Sequence, residues 1–135
     1  MKKKVLVLGA SSFAGSNFIN FLIQKKKYNI LGTYNSKKNL KKLIFKNNLD
    51  KFKLIKLDLS IENNKLLKII KSFKPEYIFD FASVCLVNES WDTPNYYFKV
   101  NLNSKINFIK NMNNLSFIKK FIYVGTPEIF GSTLK

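Results

Sequence analysis

Short apolar runs alternate along this chain with longer segments whose apolar residues recur every three or four positions. Runs of the first kind predict buried strands, and helical spacing predicts amphipathic helices. The predicted strands cover residues 5–8, 28–34, 52–57, 77–81 and 121–124. Because strands alternate with helical segments, the connections are crossovers and the sheet is parallel, with helices on both faces. We therefore expect a doubly wound, Rossmann-like α/β domain with strand order 3-2-1-4-5.

Four segments between these strands carry helical spacing. The first covers residues 16–26, and the second lies around residues 40–44. The third follows Ser60, whose hydroxyl can cap a helix start. The longest covers residues 95–113, after a polar loop that runs to Pro94. The apolar positions of this longest segment are Val100, Leu102, Ile106, Ile109 and Met112.

The chain has 135 residues, the size of one domain, and a formal net charge of +16. Every basic residue is a lysine, and the lysines are spread along the chain. Nucleic-acid readout favours the planar fork of arginine, so a solvated surface is favoured over a nucleic-acid interface. A basic nucleic-acid-binding domain is therefore the least favoured functional interpretation of this chain.

The lengths of the apolar runs and the numbers of cysteine and histidine residues exclude several classes of protein. No apolar run approaches the ~20 residues of a membrane span, so no membrane partner is expected. The single cysteine, Cys85, excludes an internal disulfide and fits a cytoplasmic location. The absence of histidine excludes a Ser-His-Asp triad and histidine metal ligands, so we expect no metal site.

The residues that follow the first and fourth predicted strands are small. The first strand runs into Gly9, followed by small residues up to Gly15, and the fourth runs into Ala82 and Ser83. A turn of small residues at a helix start lets an anion such as a pyrophosphate approach free backbone N–H groups. In the doubly wound order these two strands are neighbours, and ligands bind where their connections diverge. The first turn read alone is equally consistent with simple packing; the second loop favours a nucleotide site.

Four stretches together resemble the amino-terminal half of extended short-chain dehydrogenases/reductases, the NAD-dependent epimerase/dehydratase family. Residues 9–15 match its G-x-x-G-x-x-G turn with Ser12 at the middle glycine, and residues 57–60 match the aspartate after the third strand. Residues 81–101 resemble its Leu-Ala-Ala loop and the next helix, and residues 123–131 its Ser-Thr-x-Glu-Val-Tyr-Gly segment. Within the family the chain is most similar to nucleotide-sugar 4,6-dehydratases of the GDP-mannose and dTDP-glucose type.

The resemblance implies an NAD(P)-binding Rossmann domain over residues 1–135, with Asp58 contacting the adenine amino group. An acidic residue at the end of the second strand would bind the ribose of NAD, but residues 33–38 contain none. Polar and cationic groups there, including Lys37 and Lys38, favour NADP over NAD, although both lysines are equally consistent with pointing into water. The expected cofactor-binding residues are Gly9, Ser11, Ser12, Phe13, Ala14, Asn35, Ser36, Asp58, Leu59, Phe81, Ala82 and Ser83.

The resemblance also implies catalytic roles for Thr126 and Glu128. In such dehydratases the threonine hydrogen-bonds the sugar 4-OH while hydride leaves carbon 4, and the glutamate removes the carbon 5 proton. Pro127 stands where the family has a proton donor and cannot act as one. The simpler alternative is that Thr126 and Glu128 are loop residues, since an epimerase or reductase needs no glutamate there.

The resemblance implies that the family's catalytic Tyr-x-x-x-Lys pair belongs to a later helix, which would lie beyond Lys135. Tyr34 and Lys38 have its spacing, but they follow the second strand, and we interpret them as coincidence. We therefore expect a fragment or one half of a split protein, whose complete form acts on a nucleotide sugar as a homodimer. The alternative is a non-catalytic NAD(P)-binding module.

Overall fold

The computed structural model describes residues 2–36, 46–112, 114–126 and 131 of the chain. The helix expected around residues 40–44 lies outside the described residues. So do Lys37 and Lys38, on which the preference for NADP rests, and Pro127 and Glu128 of the expected catalytic segment.

A five-stranded parallel sheet in the order β3-β2-β1-β4-β5 forms the centre of the fold. Strand β1 pairs with β2 on one side and with β4 on the other, as expected for two halves that wind in opposite directions from the middle. The predicted fold class and strand order are confirmed. The strands are β1 Lys3–Leu8, β2 Tyr28–Tyr34, β3 Lys53–Lys56, β4 Tyr77–Asp80 and β5 Lys120–Tyr123.

Helices connect the strands and cover both faces of the sheet. Residues Lys46–Lys51 form 3₁₀ turns before β3, and Lys99–Asn103 form a π-helical segment that continues directly into the last helix. The α-helices are α1 Phe13–Gln24, α2 Asn63–Phe73, α3 Val87–Asp92, α4 Pro94–Phe98 and α5 Ser104–Met112.

The alternation of side chains along β1 divides the core into two halves. Val5 and Val7 point to one face, where the apolar side of α1 covers them. Leu6 and Leu8 point to the other, where they meet α2 and Phe108 of α5. All four β1 side chains are essentially inaccessible to solvent, as expected for a central strand buried on both faces.

One sequence prediction about the segment after β4 is wrong. The expected polar loop up to Pro94 contains helix α3, which begins at Val87. The long helix begins at Pro94 and is interrupted by the π-helical segment. Of its apolar positions, Val100 is buried, Met112 is partly buried and the other three are exposed. The buried residues of the segment are Val100, Ser104, Lys105 and Phe108.

The predicted capping role of Ser60 is also wrong. Helix α2 begins at Asn63, whereas a cap at Ser60 would place its first residue at 61, two positions earlier. The backbone N–H and the hydroxyl of Ser60 both donate to Asp58 Oδ1, at 2.9 and 2.6 Å. Because the aspartate side chain turns the backbone at this point, the helix is delayed.

Candidate functional site

A cleft of about 260 Å³ opens at the carboxyl edge of the sheet, between the loops that follow β1, β2, β3 and β4. It lies where the connections of β1 and β4 diverge to opposite faces. All the expected cofactor-binding residues line it except Phe13 and Ala14. The predicted residues that line it are Gly9, Ser11, Ser12, Asn35, Ser36, Asp58, Leu59, Phe81, Ala82 and Ser83.

The turn after β1 depends on two glycines and one serine. Gly9 adopts φ +71°, a conformation that favours glycine. Gly15 lies so close to the carbonyl oxygen of Gly9 that a Cβ would collide with it. Ser12 stands where the motif has a glycine, but its φ of −72° is one that any residue adopts. Its side chain caps α1 by accepting the N–H of Gly15 at 3.0 Å, so the serine is compatible with the turn.

The start of α1 is chemically suited to an anion. The backbone N–H groups of Phe13 and Ala14 lie in the first turn and have no acceptor within the helix. The positive end of the helix dipole lies at the same place. Phe13 and Ala14 do not line the cleft itself, and the Phe13 side chain is 86% exposed. These two residues therefore offer a ligand their backbone N–H groups and the positive end of the helix dipole, at the rim of the cleft.

The loop after β4 packs directly against this turn. A Cβ placed on Gly9 would lie 2.7 Å from the backbone nitrogen of Ala82, so the two loops touch through the glycine. Asn101, in the π-helical segment, holds the next part of the loop. Its side chain donates to Val84 O at 2.8 Å and accepts from Val84 N at 3.0 Å.

The opposite end of the cleft, below β2 and β3, is built around Asp58. The backbone N–H of Asp58 donates to Glu62 Oε2 at 2.6 Å, while Glu62 Oε1 accepts from Lys65 at 2.8 Å. The hydrogen bond from Lys65 is the main reason that the pKa of Glu62 lies below its ordinary value; the N–H of Asp58 adds to it. Asn35 Nδ2 reaches Tyr96 OH at 3.5 Å across the mouth of the cleft.

Further residues line the cleft that are not among the predicted cofactor-binding residues. Most are apolar or aromatic neighbours of the predicted ones in sequence, and they need the tertiary structure to be recognised. Tyr96 comes from α4, far from the strand ends, and its signal in the sequence is its place within residues 81–101, which resemble the family's loop and next helix. These residues are Thr33, Tyr34, Leu57, Val84, Tyr96 and Val100.

The expected catalytic residues are not brought together in the described part of the chain. Thr126 is exposed and is not among the residues that line the cleft. Glu128 lies outside the described residues. Tyr97, which is also absent from the predicted site residues, donates its hydroxyl to Leu86 O at 2.6 Å and fixes the start of α3. Partial desolvation raises the pKa of Tyr97.

Two negative findings apply to the described residues alone. Among residues 2–36, 46–112, 114–126 and 131, no helix has the length and apolar character needed to cross a bilayer. Within the same ranges, no cluster of three or more histidine, cysteine, aspartate or glutamate residues could hold a metal ion.

The strand order, the glycine turn and the cleft at the carboxyl edge define a Rossmann-like α/β protein of the doubly wound type. The family model described as GDP-mannose 4,6 dehydratase matches residues 6–135, and the chain belongs to this family.

Two curated UDP-glucose 4-epimerases are similar to this chain. The chain is 27% identical over 134 residues to UDP-glucose 4-epimerase of Mycoplasma genitalium, and 28% identical over 136 residues to that of Mycoplasma pneumoniae. These matches cover 98% and 97% of this chain but 38% of each relative. The chain therefore spans about two fifths of the length of the curated relatives it matches.

Solved structures share the fold. UDP-glucose 4-epimerase of Thermotoga maritima, solved with UDP-glucose, superimposes with a TM-score of 0.78 at 22% identity, over 98% of this chain and 41% of that chain. The dTDP-glucose 4,6-dehydratase of Bacillus anthracis, solved with NAD, gives a TM-score of 0.79 at 20% identity, over 98% and 40%.

Proposed function

We propose that this chain is the cofactor-binding portion of an NAD(P)-dependent enzyme that acts on a nucleotide sugar. One observation carries the proposal: residues predicted from separate loops, after β1, β2, β3 and β4, line a single cleft at the carboxyl edge of the sheet. The bound NAD of the Bacillus anthracis dehydratase and the bound UDP-glucose of the Thermotoga maritima epimerase support it.

In the proposed complex the pyrophosphate lies over residues 11–14, where the N–H groups of the first turn of α1 are available. The adenine lies near Asp58 and Leu59, on the β2–β3 side of the cleft. The opposite end of the dinucleotide then extends towards Phe81 and Ala82, because β4 lies on the other side of β1. When bound, the nicotinamide ring supplies the acceptor for a hydride from the sugar.

Two reactions are candidates for the complete protein, and different observations favour them. The family model is described as a 4,6-dehydratase, and Glu128 has the position of the base that such a reaction needs at carbon 5. A carboxylate suits this role, since a transient ketone at carbon 4 acidifies the neighbouring proton. The curated relatives are 4-epimerases, a reaction in which Thr126 keeps its role and Glu128 has none. In either reaction Thr126 orients the 4-OH.

A non-catalytic NAD(P)-binding module is the alternative, and one sequence observation favours it. The Tyr-x-x-x-Lys spacing occurs only at Tyr34 and Lys38, and Tyr34 ends β2 on the adenosine side of the proposed complex. A base placed there is on the wrong side to take a proton from the sugar. Such a module binds the dinucleotide and catalyses no reaction, even when it is fused to the remaining portion of an epimerase.

For the cofactor we propose NADP over NAD. The support is the sequence at the end of β2, where Tyr34, Asn35 and Ser36 are followed by Lys37 and Lys38 and no carboxylate is present. A carboxylate would repel the 2′-phosphate of NADP, whereas hydroxyl, amide and ammonium groups suit it. A tighter dissociation constant for NADPH than for NADH supports this choice, and the reverse order refutes it.

We further propose that the complete protein is a cytoplasmic homodimer without a nucleic-acid partner. The lone, exposed Cys85 suits a reducing compartment. An exposed apolar stripe at helical spacing on α4, the π-helical segment and α5 supports self-association: Phe98, Leu102, Ile106 and Ile109. Sedimentation of a full-length protein as a monomer would refute the dimer.

The test of this function is a chimera in which the chain replaces the matching portion of the Mycoplasma genitalium epimerase. The chimera is incubated with UDP-glucose, GDP-mannose and dTDP-glucose, and both 4-epimer and 4-keto products are measured. Turnover by the chimera with a supplied dinucleotide supports the enzyme. A folded chimera that binds the dinucleotide and converts none of these sugars supports the non-catalytic module.

A further inference from the structure

Lys105 is a buried lysine in a chain whose other described lysines lie at or near the surface. It is 7% exposed, and its ammonium group contacts the carboxylate of Asp80, which is fully buried, at 2.6 Å. Burial of two charges costs several kilocalories per ion unless their hydrogen-bonding capacity is satisfied. The expectation of a solvated lysine surface is therefore wrong for this residue.

The ion pair also forms hydrogen bonds with the backbone of a single residue, Ala82. Asp80 Oδ1 accepts the N–H of Ala82 at 2.9 Å, and Lys105 donates to the carbonyl oxygen of Ala82 at 2.7 Å. Both polar backbone groups of Ala82 are thus fixed by the pair. The ring of Tyr123 lies 5.6 Å from the ammonium nitrogen on the β5 side.

Ala82 is the residue through which the β4 loop touches the glycine turn. Its backbone nitrogen would lie 2.7 Å from a Cβ on Gly9. Asn101, four residues before Lys105 on the same helical face, clamps Val84 in the same loop. The face of the helix after β4 therefore fixes the loop at two successive points.

We propose that Lys105, with Asp80, is a positioning residue for dinucleotide binding: the pair sets Ala82 against Gly9 and so fixes the β4 wall of the cleft. The inference rests on the proposed function, because it assigns the cleft to a dinucleotide. Neither residue lines the cleft. Their effect on the ligand is therefore exerted through Ala82 and is strongest at the β4 end.

The test replaces the whole pair, with Asp80→Leu and Lys105→Met in one variant of the 135-residue chain. Replacing both members of a buried ion pair by apolar residues of similar volume is often neutral or stabilising, so this variant is expected to fold. Single substitutions leave one charge buried without a partner and are unsuitable. NADH and AMP are titrated into the native chain and the variant, and thermal unfolding is recorded for both.

We expect the dissociation constant for NADH to rise about tenfold or more, because two backbone hydrogen bonds that fix the loop are lost. AMP lacks the nicotinamide half of the dinucleotide and does not extend to the β4 end of the cleft, so its dissociation constant should stay unchanged. A merely structural role would weaken both ligands together. Unchanged NADH binding, or an equal loss for NADH and AMP, would overturn the proposal.

The matched control is Glu76→Leu with Lys119→Met. That ion pair has the same length, 2.6 Å, but lies at the amino edge of the sheet. Its removal keeps the net charge and should change neither dissociation constant. If the native chain is folded and takes up no dinucleotide, the proposed function fails. If it binds and the double variant binds equally well, only the role of Lys105 fails.

Discussion

Gly9 and Ala82 make the contact that joins the two central loops of the cleft. A Cβ on Gly9 would lie 2.7 Å from Ala82 N and 2.8 Å from Ala82 Cα, distances at which backbone atoms would have to move. The φ of +71° at Gly9 is a second reason that no other residue fits without strain. One glycine therefore meets two demands, turn conformation and close approach.

The substitution Gly9→Ala should destabilise the chain by about 2–4 kcal/mol, because it adds left-handed backbone strain to overpacking against the β4 loop. Urea unfolding measures the change. Gly125→Ala is the matched control, since nothing lies within 4 Å of its added Cβ and its backbone is not left-handed. A loss of stability no greater for Gly9→Ala than for Gly125→Ala would contradict the packing described for this turn.

Ala14→Asp should change stability and binding in opposite directions. A carboxylate in the first turn of α1 interacts favourably with the helix dipole and should add about 0.3–1 kcal/mol to stability. The same charge should repel the pyrophosphate and fill its space, so NADPH binding should be lost. Gln24→Glu adds an equal charge at the far end of α1 and should leave binding unchanged. Equal NADPH binding by native chain and Ala14→Asp would remove the pyrophosphate from this turn.

The Glu76–Lys119 pair should contribute to stability only between two pH limits. Its hydrogen bond lowers the pKa of Glu76, so the contribution is present above the ordinary glutamate pKa and is lost as the pH falls through the lowered value. The same bond raises the pKa of Lys119, so the contribution is also lost as the pH rises through the raised value.

Urea unfolding of the native chain and Glu76→Gln across a pH series measures this contribution. The stability difference should be largest near neutral pH and should shrink on both sides. Glu89→Gln is the control, because Glu89 makes no ion pair among the described residues. A difference that does not depend on pH would show that the ion pair is not its source.

The activity prediction separates Thr126 from Glu128. The chain alone should not oxidise a nucleotide sugar, because Thr126 can orient a hydroxyl but cannot take its proton; a missing general base costs about 10²–10⁴-fold. In the chimera, Thr126→Val should slow oxidation at carbon 4. If the reaction is elimination, Glu128→Gln should spare that oxidation and let a keto-sugar accumulate. Turnover by the 135-residue chain alone would refute this account of the missing base.

The sheet and the cleft could be predicted because their signals are local. Apolar runs mark the strands, and the small residues after β1 and β4 follow two strands that the doubly wound order makes neighbours. Helix α3 was missed because its six residues lack an apolar periodicity, and none of them is buried. Ser60 was misassigned because Asp58, two residues earlier, competes for its hydrogen bonds.

Lys105 shows why the rest could not be predicted. Its partner Asp80 lies 25 positions away in the sequence, and nothing near Lys105 distinguishes it from the chain's many surface lysines. The sequence does carry one signal at Asp80, the partner of Lys105. An aspartate at the end of the apolar run of β4 must find a partner when the strand is buried on both faces. That signal indicates a buried partner without identifying it.

The central claim is that this cleft binds a nicotinamide dinucleotide, and calorimetric titration of NADH and NADPH into the folded 135-residue chain tests it most directly. The account predicts saturable binding at one site, with each dinucleotide competing against the other and binding lost in Ala14→Asp. A chain that is folded by circular dichroism but takes up neither dinucleotide at about 1 mM, the upper end of ordinary cofactor and substrate concentrations, would contradict it.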